Sequence, residues 1–148
     1  MDRGFLMGTL QALGRLDVRL MARDERFVAG EGYIEEGVGL LEFDDHLTQS
    51  YLWVLGAYEL VRTLHAREPK QQNGKATPLQ TLYRRYSRLR VPLAKMMPAR
   101  YHKLTDFRIA YPALNYEFGV AWQVAETTFI SRGELSNEFL SVLEGAAT

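Results

Sequence analysis

Phe107-Arg108-Ile109-Ala110-Tyr111, followed by Tyr116-Glu117-Phe118-Gly119-Val120-Ala121-Trp122-Gln123-Val124, is the stretch on which the fold class turns. Apolar and polar residues alternate through both runs, which is the period of a half-buried strand and not of a helix. Tyr116, Phe118, Val120, Trp122 and Val124 fall on one face, and β-branched and aromatic side chains suit a pleated surface. Pro112 and Asn115 mark the connection between the two runs. These residues predict a small antiparallel sheet with the Trp122 face in the core.

On the C-terminal side, Ser131 and Glu134 have the spacing of a capping box. It opens a helix carrying Leu135, Phe139, Leu140, Val142 and Leu143 and ending at Gly145. On the N-terminal side, Thr77-Pro78 reads as an N-cap followed by proline in the first turn. Leu79, Leu82, Tyr86, Leu89, Leu93 and Met96 then recur at helical spacing, with Pro92 predicted to end the helix near Arg90 or kink it. Residues 68–77 are polar, with Pro69 and Asn73-Gly74, and read as an exposed loop.

The helix over 45–67 is the plainest element. Leu47, Tyr51, Val54, Tyr58, Val61 and His65 form one stripe, which Trp53, Ala57, Leu60 and Leu64 widen. So wide an apolar arc belongs to a central helix, expected here to be the main partner of the sheet, with Asp44 or Asp45 as N-cap. Further upstream, Leu16-Asp17-Val18-Arg19-Leu20 alternates and Arg26-Phe27-Val28-Ala29 follows a charged turn, so a β-hairpin is read there. One long helix from 5 to 27 is its competitor. The expected class is α+β, two or three main helices packed on a small antiparallel sheet, with an all-α domain carrying one hairpin as the alternative. Residues 1–148 make one domain.

Composition narrows the chemistry. The 148 residues hold 18 basic and 18 acidic side chains, three His and no Cys, with 47% hydrophobic residues. The absence of Cys excludes disulfides, thiol catalysis and Cys-based metal or iron–sulfur sites, and fits a cytoplasmic protein. No apolar run approaches the roughly 20 residues of a membrane span, and no membrane partner is expected.

The balanced charge is segregated. Residues 24–45 hold eight acids against Arg26 alone, and residues 84–108 hold eight bases against Asp106. On a helical wheel Arg84, Arg88 and Lys95 lie within about 40° of one another, opposite the leucine stripe. Arg85 flanks them, Arg100 and Lys103 follow, and Tyr83, Tyr86, Tyr101 and Phe107 are interleaved. Cations for phosphates and rings for bases are the ingredients of a nucleic-acid surface. The competing reading is a solvated face, or one neutralised by the acidic segment.

His102 and Asp106 stand four apart, a spacing that on a helix lets the carboxylate orient the imidazole as a general base. They are the candidate catalytic pair, with an ordinary surface pair as the bland alternative. Neither His46 nor His65 has a second His at ligand spacing, so no metal and no cofactor is expected. Walker, Gly-x-Gly-x-x-Gly and Gly-x-Ser-x-Gly motifs are absent from the sequence. Trp53, Tyr58, Tyr111 and Trp122 would serve a ligand pocket or, more simply, a core.

These observations favour a non-enzymatic interaction or assembly module that pairs with a second copy or another protein through its charged segments. The alternative is a nucleic-acid-binding protein or metal-independent nuclease using the basic segment.

Overall fold

The computed structural model describes residues 3–30 and 38–147. Among the described residues there are four helices and one three-stranded antiparallel sheet, an α+β arrangement as expected. In chain order they are α1 (Arg3–Val28), α2 (Val38–Arg67), α3 (Pro78–Lys95), a 3-10 turn (Arg100–His102), β1 (Asp106–Asn115), β2 (Gly119–Ala125), β3 (Thr128–Ser131) and α4 (Arg132–Ala147).

The expected N-terminal hairpin is instead the long helix α1. Leu6, Leu10, Leu13, Leu16 and Leu20 recur every three or four residues, Phe27 follows two turns on, and all pack toward the core. That 3.6-residue period outweighs the five-residue alternation at 16–20. It also puts Asp17 and Asp24 on the inward side of α1.

α2 begins at Val38, seven residues before the expected start, so Asp44 and Asp45 lie inside the helix and are not its N-cap. α3 keeps the expected N-cap, the Thr77 hydroxyl accepting from the Gln80 amide at 3.1 Å. It also runs through Pro92, which is buried, and stops only where Met96 turns left-handed at φ 54°. A proline so near the end removes one hydrogen bond without breaking the helix. Residues 69–76 are exposed, Glu68 is half-buried and Thr77 is buried as the cap.

The sheet has the order β1-β2-β3, with Tyr111, Gln123 and Phe129 aligned across it. Asn115 shapes the first turn, its side-chain oxygen accepting from the amides of Glu117 and Phe118 at 2.8 and 3.0 Å. Val120, Trp122 and Val124 face the core as read from the sequence, but Tyr116 sits in the turn and is exposed. The four-residue β3, too short to show a period, went unread. Ser131 and Glu134 form the expected capping box, with the Ser131 hydroxyl 3.0 Å from the Glu134 amide and the Glu134 carboxylate 3.1 Å from the Ser131 amide.

Helix α2 packs mainly on α3 and α1, while the sheet is covered by α1, α3 and α4. The expectation that α2 is the sheet's main partner is therefore corrected. Trp53, Val54, Ala57, Tyr58, Leu60 and Val61 of α2 join Leu20, Leu82, Tyr86, Leu89, Trp122 and Leu135 in one core cluster.

Candidate functional site

The basic segment divides into a spent half and a free half. Arg88 donates from Nε and Nη2 to the two oxygens of Asp106, both at 2.8 Å. Arg85 donates to Glu138 at 3.3 Å, and the Arg90 guanidinium lies 4.9 Å from the centroid of Tyr58. Arg84 lies 5.2 Å from the centroid of Tyr101. Arg85 and Arg88, read as anion-binding candidates, are thus tied to acids within the fold. Those acids are Glu138 and Asp106. Among the described residues no ion pair joins the basic segment to the acidic one.

The free half is the connection from α3 to β1. Lys95, Arg100 and Lys103 are exposed, and among the described residues none has an acid within salt-bridge distance. Between them stand Met96 (72% exposed), Met97 (51%) and Tyr101 (72%), and just after them Leu104, which is fully exposed. Two backbone hydrogen bonds shape this segment, His102 amide to Ala99 carbonyl at 2.9 Å and Thr105 amide to His102 carbonyl at 3.2 Å. The Arg84–Tyr101 contact and the Arg88–Asp106 pair hold it against the side of α3.

The proposed dyad of His102 and Asp106 is not assembled. His102 ends the 3-10 turn and Asp106 starts β1, so the helical geometry that would align them is missing, and both carboxylate oxygens are taken by Arg88. Burial alone would raise the Asp106 carboxyl. Hydrogen bonds from Arg88 and Thr105, with the charges of Arg88 and His102, outweigh it and hold the group below its ordinary range.

A second polar centre lies inside the molecule. Arg132, wholly buried at the start of α4, reaches Asp24 at 2.9 Å and also pairs with Asp17. Asp24 accepts from His46 Nε2 at 2.7 Å and from the Val120 amide at 3.1 Å. Asp17 accepts from the Ser136 hydroxyl at 2.6 Å. Phe27 stacks on His46, and Trp53 lies under the Arg132 guanidinium with 5.2 Å to the ring centroid. With Asp24 ionised, its acceptor role requires the His46 proton on Nε2.

Sequence reading missed this centre because its members are up to 119 positions apart, as in the Asp17–Ser136 pair. The only local signal was the seven-residue spacing of Asp17 and Asp24, two turns of one helix. Asp24 and Arg132 border a cavity of about 280 Å³ that Met21, Val28 and Phe118 also line. His46 itself has no exposed surface. Most of these polar groups pair with one another and tie α1, α2, β2 and α4 together, while His46 Nδ1 and Arg132 Nε stay buried with no hydrogen-bond partner among the described residues.

His65 stacks face to face on Tyr83 at 4.7 Å, and Trp53, Tyr58 and Trp122 belong to the core while Tyr111 is half exposed on the sheet. Among the described residues no three His, Asp or Glu side chains are placed to hold a metal ion, and no helix is long and apolar enough to cross a membrane. No protein-family model, no curated protein and no solved structure matches the chain.

Proposed function

We propose that the chain is a non-enzymatic docking module whose contact surface is the segment from Lys95 to Leu104 and the side of α3 that it covers. One observation carries this reading. Four large apolar side chains stand in water within nine residues, among three cations and with no acid. Apolar side chains grouped in this way mark interaction sites more often than inert surface. The lone sign of charge specifies an anionic partner and steers its approach.

The nuclease version loses its support with the His102–Asp106 geometry. Self-association through the acidic segment is also weakened, because Asp24 is consumed by Arg132 and His46. A cytoplasmic location belongs to the same proposal and rests on the cysteine-free composition.

The test is retention on immobilised heparin, a generic polyanion, as salt is raised. The wild-type protein should bind at low salt and elute as salt increases. The triple variant Lys95→Glu, Arg100→Glu, Lys103→Glu should pass through unretained with an unchanged circular dichroism spectrum. Equal retention of variant and wild type would sink the proposal.

A further inference from the structure

We infer that the partner of this surface is an anionic lipid bilayer, contacted without being crossed; the inference rests on the docking reading above. Charge alone would suit several polyanions, so the apolar residues decide between them. A single-stranded nucleic acid has phosphates for Lys95, Arg100 and Lys103 and a base to stack on Tyr101. It offers no apolar medium for Met96, Met97 and Leu104. A bilayer interface takes all of them. Apolar side chains enter the acyl boundary, tyrosine sits at headgroup level, and lysine and arginine remain among the anionic headgroups.

The backbone fits the same surroundings. Polar backbone groups leaving water need partners. The 3-10 turn supplies two of these internally, through the His102 and Thr105 amides, and Pro98 has no amide hydrogen to satisfy. The segment is also held in advance. Arg84 lies over Tyr101 in its middle and Arg88 grips Asp106 just past its end. Little conformational freedom is therefore lost on contact. The lack of a spanning helix bears only on crossing, so this surface contact revises the expectation of no membrane partner.

Leu104 is fully exposed and Met96 nearly three-quarters so, and replacing them removes almost no internal packing. This makes the double variant Leu104→Ser, Met96→Ser a test that spares the fold. Co-sedimentation would be measured with phosphatidylcholine vesicles and with the same vesicles containing phosphatidylserine. The wild type should partition onto the phosphatidylserine vesicles and only weakly onto neutral ones. Each apolar side chain leaving water is worth roughly ten-fold in partition, and each cation at an anionic surface roughly five-fold. The apolar double variant should lose at least about ten-fold in vesicle binding and elute from heparin where the wild type does. The charge-reversed triple variant should lose both.

Retention on heparin without vesicle binding would overturn the lipid inference and leave the docking reading standing. Tight binding to a single-stranded oligonucleotide would then name the occupant. Vesicle binding that is unaffected by Leu104→Ser, Met96→Ser would also overturn it. Failure to bind heparin and vesicles alike would remove both readings.

Discussion

Arg132 and Asp24, 108 positions apart, meet at 2.9 Å in the middle of the molecule and join the last helix to the first. Asp24 receives three donors, from Arg132, His46 and the Val120 amide, so its loss leaves a buried guanidinium and two further donors poorly served. Removing one partner of a buried ion pair costs about 3–5 kcal/mol, a large part of the total stability of an ordinary domain. Asp24→Ala should therefore show that loss in urea denaturation. Arg132 keeps Asp17 as a second partner, so the combined loss in Asp24→Ala with Arg132→Met should fall short of the sum of the two single losses, each of which already removes the Asp24–Arg132 pair. A single-variant loss below about 1 kcal/mol would mean that the pair is not maintained in solution.

Gly119 is the second element of the same centre. Its φ is +82°, and a Cβ built there would lie 2.2 Å from Cγ of Asp24. Gly119→Ala meets both left-handed strain and a direct clash, and should cost about 3 kcal/mol. Gly74→Ala is the control: φ is +68°, but nothing lies within 4 Å of the added Cβ. It should cost about 1 kcal/mol. Equal losses in the two variants would show that Asp24 does not approach β2 so closely.

These two residues also show where sequence reading stops. The Trp122 strand face, the Thr77 cap, the Ser131–Glu134 box and the α+β class were legible because each is set by side chains a few positions apart. The same locality misled at 16–20, where five alternating residues resembled a strand inside a helix whose leucine stripe, Leu6 to Leu20, runs over about four turns. Asp24 read as surface charge because its partners come from α2, β2 and α4. Nothing near Asp106 in sequence revealed that Arg88, 18 residues back, would take it from His102. The candidate docking surface was half legible. Its cations stood out, whereas the exposure of Met96 and Leu104 follows from the way α3 ends and the chain folds back.

Tyr86 gives a spectroscopic test of the core. It has no exposed surface, and its hydroxyl donates to the Leu135 carbonyl at 2.9 Å. Burial, reinforced by the charges of Glu138 and Asp17, pushes its phenol well above the ordinary value of 10.0. In a spectrophotometric alkaline titration Tyr86 should ionise after the exposed tyrosines, and Tyr86→Phe should remove one tyrosine from the late change, to which Tyr58, also raised by burial, contributes as well. The same substitution should cost about 1 kcal/mol for the lost hydrogen bond. A Tyr86→Phe curve missing an early-titrating tyrosine would contradict the packing of α3 on α4.

The Arg88–Asp106 pair predicts a pH dependence of defined sign. The folded state holds the Asp106 carboxyl below its ordinary value of 3.8, so the folded protein retains the charged form where the unfolded chain begins to bind a proton. The resulting stability is fully present above the unfolded value and disappears as pH falls through the lower, folded one. Solvent over the exposed fifth of the Arg88 side chain weakens the pair, so it should contribute about 1 kcal/mol. Unfolding free energies from urea denaturation of the wild type and of Asp106→Asn should differ by that amount at neutral pH and converge in acid. An undiminished gap on acidification would mean that the carboxylate's charge does not hold the start of β1 to α3. The anchoring of the Lys95–Leu104 segment would then rest on the Arg84–Tyr101 contact.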